Sequence, residues 1–388
     1  MINSHLLKTL LAYLSKPRSN HTGGFTLTEV LVSLIIGGLI VTSILGIMND
    51  VIRDTKEEEV RIETQKDMEK ALGFIEDDLK SATYIYTGEE IRNQRNSTTG
   101  LGPLTDYLDL NPDYIVVLAF WKPERIPYTA SGGQIPLDCD DGSGGLNPNI
   151  DQSIVLAPNA TDQERIDRCE ELQVERRTYT LVVYVQDTSP TNTWSGETVI
   201  GRYEMRKFEN TATLERTSGN EGVYVDPIKE ADGFRNWPFD LDGNNLQAGL
   251  AKPNITGQFN LTPVLVDFVD DSQSNPGNLP TCLDEDTNGN TRLDTGEDSP
   301  SNGGNGNGVL DVYSRSPSVN DSTSFFACVR ESIRIGDIVE GNQDVIVYLR
   351  GNPKGRSGVQ INSNSYTPLP MVQTQVVLRG VIDKFFNQ

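Results

Sequence analysis

The rhythm of apolar and polar residues changes twice along this chain. From Phe25 to Met48 there are 24 residues with one formal charge, Glu29. A helix of about 20 apolar residues crosses a bilayer core, so this run is long enough to span a membrane. From Asn49 the sequence turns charged but keeps a helical period. Met68, Leu72, Ile75, Leu79 and Ala82 recur at steps of four and three and draw one apolar stripe. Glu57–Arg61 and Glu76–Lys80 are favourable i, i+4 pairs, and no proline falls between residues 25 and 86. The pattern predicts a single helix from Phe25 to about Ala82, bare in its first half and packed on a domain in its second.

Beyond the helix the period drops toward two. Segments 114–121, 178–187, 198–208, 263–270, 344–351 and 372–382 are rich in β-branched and aromatic residues and are separated by Asn, Gly and Pro clusters. They predict an antiparallel sheet packed on the long N-terminal helix, an α+β fold with large loop inserts at 122–175, 209–262 and 271–331. No convincing internal repeat and no separate second domain are read from the sequence. The expected segmentation is a basic leader (1–24), an apolar helix (25–48), an amphipathic helix (49–86) and a β-rich domain (87–388).

Charge and composition then narrow the function. The net charge is −22; the first 24 residues hold three cations (Lys8, Lys16, Arg18) and no acid, so the remainder carries −25. A surface that acidic repels nucleic acid, and no nucleic-acid partner is expected. Both histidines, His5 and His21, precede Gly23-Gly24. A cut there removes every histidine, and with them Ser-His-Asp and Cys-His catalysis and His-ligated metals. The chain is therefore read as a non-enzyme. Cys139, Cys169, Cys282 and Cys328 form no C-x-x-C pair, which disfavours zinc and thioredoxin-like chemistry. An even count behind an export signal favours two disulfides. Of the three connectivities, Cys139–Cys169 with Cys282–Cys328 is preferred, and free buried cysteines are the other reading.

The order of leader and apolar run is unusual. A secretory signal places its apolar region before the cleavage site. Here a basic leader ends at Gly24 and the apolar run follows, so a cut after Gly24 keeps that run and makes Phe25 the new N-terminus. The stretch "GGFTLTEVLVSLIIGGLIV" resembles the class III signal of type IV pilins and pseudopilins, with Gly24 before the cut, aromatic Phe25 after it and Glu29 at the fifth mature position. The resemblance implies cleavage by a membrane-embedded prepilin peptidase and methylation of the Phe25 amine. It further implies assembly with other pilins, an inner-membrane platform protein and an assembly ATPase. The expected location is the inner membrane, single-pass with an external globular domain, and then a filament. An acid at the centre of a lone membrane helix costs about 2.5–3.5 kcal/mol, less near the interface. A neighbouring subunit's Phe25 amine would offset that cost and set the stagger between helices; a Glu29 that snorkels to water is the plainer reading. No proline interrupts this helix as in many pilins, and Gly37-Gly38 and Gly46 leave open whether it unwinds on assembly.

The segment "RIETQKDMEKALGFIEDDLKSATYIYTGEE" is similar to the corresponding helix of hormogonium polysaccharide secretion pseudopilins, C type, of filamentous cyanobacteria. That resemblance implies a minor pilin serving polysaccharide export and gliding motility. A pseudopilin of a type II protein secretion system and an adhesive tip pilin stiffened by calcium are the alternatives.

One loop has cation-binding spacing. In "DTNGNTRLDTGE" (286–297), Asp286, Asn288, Asn290, Asp294 and Glu297 occupy positions 1, 3, 5, 9 and 12 of a calcium loop, and Arg292 offers its carbonyl at position 7. Thr291 stands where glycine is expected, and two of the ligands are neutral. A second stretch, "GGNGNGVLDVYS" (303–314), keeps Asn305, Asn307, Gly308 and Asp311 but lacks an acid at either end. The competing reading is a solvated Asn/Gly/Asp turn. Cys282 and Cys328 bracket both stretches. The acidic "DCDDGSGG" (138–145) is too irregular for an ion site, and Arg176-Arg177 reads as a strand-edge charge pair.

Overall fold

The computed structural model describes residues 24–378 except 96, 98, 127–138, 146, 148–160, 191–193, 211–214, 217–223, 228–232, 241, 256–263, 271–278, 289–292, 308–309, 332, 336–337, 341–342 and 357–368. The chain falls into two compact units, one up to Lys56 and one from Glu57.

Helix α1 runs Leu27–Lys80, within two residues of the predicted span at each end. In the first unit its large apolar side chains are exposed, from Phe25 (80 %) to Ile52 (42 %). Its hydroxyls bond backward to carbonyls four residues earlier, Ser43 to Leu39 (2.8 Å) and Thr55 to Val51 (2.7 Å), so they spend their polarity inside the helix. In the second unit the predicted stripe is buried, with Thr64 and Ala71 added to it. The helix ends at Lys80, whose ammonium pairs with Glu76 (2.8 Å) and Asp77 (3.2 Å), a cation placed where the carbonyl end of the helix favours one.

The rest of the second unit is built on antiparallel pairs. Strands β1 (Tyr84–Ile85), β2 (Tyr114–Arg125), β3 (Arg177–Asp187) and β4 (Thr198–Met205) are followed by a short ribbon of β5 (Phe208–Asn210) and β6 (Glu215–Arg216), and then by β7 (Val266–Val269). Next come β8 (Tyr313–Ser316) and β9 (Phe325–Arg330), a second ribbon of β10 (Ile333–Ile335) and β11 (Ile338–Glu340), and finally β12 (Asp344–Leu349) and β13 (Val372–Val377). Short helices α2 (Gly88–Arg92), α3 (Asp162–Glu175) and α4 (Gly233–Asn236) lie in the connections. One sheet has the order β1-β2-β3-β4-β7 and the other β13-β12-β9-β8.

Burial explains the strand sequences. Along β3, Val182 and Tyr184 enter the same cluster as Met68, Leu72, Ile75 and Leu79 of α1, while Leu181, Val183 and Val185 enter a second cluster with Trp121, Phe234 and Trp237. Along β9, Phe325, Ala327 and Val329 join the α1 cluster, while Phe326 and Cys328 point to a third with Tyr348. The α1 stripe is thus covered by inner faces of both sheets, and each sheet has a second buried face. Strands buried on both sides read as continuous apolar runs rather than strict alternation. A bulge between Val116 and Leu118 lets Val117 and Leu118 both reach the α1 cluster. At one end Gln186 ties the sheets together: its amide donates to Thr198 Oγ1 (3.2 Å) and Ser324 Oγ (3.0 Å), and its carbonyl accepts from Ser322 (2.7 Å).

The α+β class holds, with two corrections. The single predicted sheet is two, and segment 271–331 is not wholly an insert, because β8 and β9 are integral strands of the second sheet. The run "FFACVR" is short and follows a long Ser/Asn/Asp stretch, so its strand signal is weak in the sequence. The stretch 198–208 is broken after Met205, and of 372–382 only Val372–Val377 forms described strand.

Candidate functional site: the exposed N-terminal helix and the Asn/Asp insert

The N-terminal site starts at Gly24 and Phe25, just ahead of α1. Thr26 caps the helix: the Glu29 N–H donates to the Thr26 carbonyl (3.0 Å) and hydroxyl (3.3 Å). Thr26-x-x-Glu29 has the spacing of a capping box, a signal present in the sequence and not used in reading it. Glu29 is the acid of the first turn, where the unsatisfied N–H groups of a helix favour negative charge. A local reason for an acid at this position therefore exists beside the intersubunit one. Gly37, Gly38 and Gly46 have open space around them, so none of these three is required by a close contact within the chain. Leu27–Lys80 is long and apolar enough to cross a membrane, and its most apolar window has no residue buried. A surface of that kind is stable in lipid or against other apolar helices and not in water.

The insert closes on itself in a way the sequence alone did not suggest. Asn288 donates to Asp294 Oδ2 (2.8 Å) and to Glu297 Oε1 (3.3 Å), and Glu297 accepts the N–H groups of Thr287 (3.2 Å) and Asp294 (2.9 Å). Three predicted residues, Asn288, Asp294 and Glu297, gather at one turn with Thr287; Asp286 precedes it, and Asn290 and Arg292 lie outside the described residues. The second stretch obtains its missing acids from elsewhere. Asp298 accepts from the N–H of Gly306 (2.6 Å) and of Asn307 (3.1 Å), and Glu285 accepts from the N–H of Asn305 (2.9 Å) and of Asp311 (2.8 Å). Asn305 and Asn307 both donate to Asp311 Oδ2 at 2.7 Å.

A repeat underlies this arrangement, contrary to the expectation of none. Glu285-Asp286, Asn288-Gly289-Asn290 and Leu293-Asp294 recur as Glu297-Asp298, Asn305-Gly306-Asn307 and Leu310-Asp311. The first Glu serves the second half, and the second Glu serves the first. Five extra residues between Asp298 and Asn305 hid the repeat from spacing alone. Glu285, Glu297 and Asp311 are all more than nine-tenths buried. Hard oxygen donors of this kind suit Ca²⁺ chemically. Among the described residues, no three acidic, His or Cys side chains are gathered as an ion's ligands would be, and the turns are closed by hydrogen bonds instead.

Two disulfides are present, Cys139–Cys169 and Cys282–Cys328, with Cα separations of 5.8 and 5.4 Å. The second anchors the start of the insert to β9. The acidic loop at 139–145 is closed by Asp141, which accepts from Ser143 and Gly145 N–H groups; hydrogen bonds from the Ser143 hydroxyl and backbone hold its carboxyl below the usual range. Arg177 is the first residue of β3, and Arg176 is the single residue between α3 and β3, with φ of 47°.

Residues 19–45 match the family model of the prokaryotic N-terminal methylation motif. No curated protein and no solved structure matches the chain. The motif, together with the exposed apolar helix, supports a type IV pilin-like protein. Such a signal implies processing by a prepilin peptidase and assembly with other pilins, and a structural rather than enzymatic role.

Proposed function

We propose that the protein is a minor pilin or pseudopilin, cut after Gly24, methylated on Phe25, and built into a type IV pilus-like filament or its initiating tip complex. In this reading it serves polysaccharide secretion and gliding motility. The observation that carries it is the sequence order Gly24-Phe25-x-x-x-Glu29 at the head of a helix whose large apolar side chains are exposed from Leu27 to Ile52. A buried carboxylate that meets a subunit's terminal ammonium fixes register, a role for which single buried polar pairs are well suited. The large β-rich unit, heavier than a repeating shaft subunit requires, supports a minor position.

The interlocked insert favours an addition to this reading: a calcium-stiffened surface on the filament tip. Asp286, Asn288, Asn290, Asp294 and Glu297, with the Arg292 carbonyl, would hold one cation, which would supply charge neutralisation and rigidity. The test is a Gly24→Val and Glu29→Ala pair in the native host, scored for processing, surface filaments, motility and released polysaccharide. Gly24→Val is expected to block cleavage. Glu29→Ala is expected to be cleaved but absent from filaments, and normal filaments and motility in that strain would refute the assignment.

A further inference from the structure

An open cleft of about 400 Å³ lies in the second unit, between α1 and the loops around β7. Small-molecule sites are clefts of about this size with an apolar or aromatic lining and a few polar groups at the edge. Phe74, Trp194 and Phe268 line it, and Asp67, Lys70 and Arg356 supply the polar edge. Phe74 and Trp194 are 47 % and 36 % exposed, although the fold has ample buried positions for aromatic rings.

Phe268 is held in an unfavourable backbone conformation, with φ of 61°. Several contacts enforce it. Its N–H donates to Asp267 Oδ1 (2.7 Å) and its carbonyl accepts from the Asn352 N–H (2.7 Å). The Asp267 carboxylate also takes the N–H groups of Ser195 (3.2 Å) and Gly196 (3.0 Å). A Cβ on Gly196 would stand 2.5 Å from the Phe268 nitrogen, so only glycine permits this approach. One carboxylate therefore clamps the Trp194 loop to Phe268. The Phe268 ring packs against the Arg356 guanidinium, 4.6 Å from its centroid, and that guanidinium also pairs with Asp67 and Glu63. A strained aromatic fixed in a cleft wall is a preorganised platform, and strain of this kind collects at binding sites.

We propose that this cleft binds a neutral pyranose unit of a glycan. A pyranose presents a C–H face, which an exposed aromatic ring covers, and a hydroxyl edge, which carboxylate, ammonium and guanidinium groups meet. The charge selects among sugars. In the lining Lys70 and Arg356 are matched by Asp67 and Asp267, and Arg356 also pairs with Glu63, so the cleft offers no surplus positive charge; with −22 on the chain, a uronate or sulfated residue is disfavoured against a neutral one. A protein partner would need about 800 Å² of continuous surface, far more than the cleft offers. The inference stands apart from the filament role and from calcium.

Trp121 and Trp237 are sealed in the core, so the exposed Trp194 dominates any ligand-induced change in fluorescence. The full chain, in a detergent without a sugar headgroup, is titrated with neutral trimers of glucose (α and β linked), galactose, mannose and N-acetylglucosamine, and with trigalacturonate. At least one neutral trimer is expected to give a saturable millimolar response, at least tenfold weaker with the uronate. Trp194→Ala should abolish binding measured by calorimetry, and Phe74→Ser should weaken it severalfold, both with unchanged melting. A flat response to every neutral trimer, or equal binding by Trp194→Ala, overturns the proposal. So does a flat titration combined with loss of another pilin from pull-downs of both variants, which would make the cleft a protein interface.

Discussion

Arg202 on β4 donates from Nε to Asp78 Oδ2 at 2.6 Å and so fastens the last turn of α1 to the five-stranded sheet. Lys122 on β2 (3.2 Å) and Tyr184 on β3 (2.7 Å) converge on the same carboxylate, and Glu204 takes Lys122 (2.8 Å) and Arg202 from the other side. Two acids and two bases, each under one-fifth exposed, form a closed network where the last turn of α1 meets the five-stranded sheet.

Removing one acid leaves both cations to share the other. Asp78→Ala is expected to cost about 3–5 kcal/mol, because Arg202 and Lys122 lose a partner in a poorly hydrated site. Denaturant unfolding of the full chain in micelles checks this, with the exposed Asp77→Ala as the control expected to change stability by about 0.5 kcal/mol or less.

The same network sets an acid limit. Burial pushes the Glu204 carboxyl up, but hydrogen bonds from Arg202 and Lys122 outweigh it and hold the group at about 2 against an ordinary 4.5. Asp78 is likewise lowered, against its burial, by Arg202, Tyr184 and Lys122. A depressed folded-state pKa gives stability that is complete above the unfolded value and is lost as pH falls through the folded one. Stability should therefore fall as pH drops from about 4.5 toward about 2, and the slope should be shallower in Glu204→Gln, as followed by melting temperature against pH.

The reciprocal acids of the insert make a distinct prediction. If both halves hold calcium, Glu285→Ala should impair the second half and Glu297→Ala the first, although each lies in the other half by sequence. Each occupied half should add about 2.7 kcal/mol of stability at a calcium concentration one hundred times its Kd, and each variant should lose the share of the half it impairs. Calorimetric titration showing no calcium uptake would reduce the insert to a hydrogen-bonded turn.

Cys282–Cys328 closes a span of 46 residues. Loop-closure entropy assigns such a link about 4 kcal/mol, so Cys282→Ser with Cys328→Ser should lower stability by that order. It should also loosen the cover over Phe326 and Tyr348, whose rings stack at 4.7 Å, and raise binding of a hydrophobic dye.

Helix α1 was legible almost to the residue, because a stripe from Met68 to Ala82 and an unbroken apolar run leave few other ways to satisfy burial and backbone bonding. Most of the strands were legible for the same reason. Count and order made sequential cysteine pairing the preferred of three connectivities, and the structure has that pairing. The strand β9 was masked by its shortness and polar flank, whereas the second sheet and the swap of Glu285 and Glu297 were hidden because they join segments far apart in the chain.

The sequence by itself determined the leader–Gly24–Phe25–Glu29 order, the exposed apolar helix and the buried stripe that continues it. These are local or periodic properties, written in consecutive residues. Tertiary structure alone decided that Asp78 would meet Arg202, that Asp267 would clamp the Trp194 loop to Phe268, and that two Asn/Asp half-loops would exchange their acids. Those outcomes depend on chain reversals that bring distant residues within hydrogen-bond reach, and no periodicity along the chain encodes such a distance.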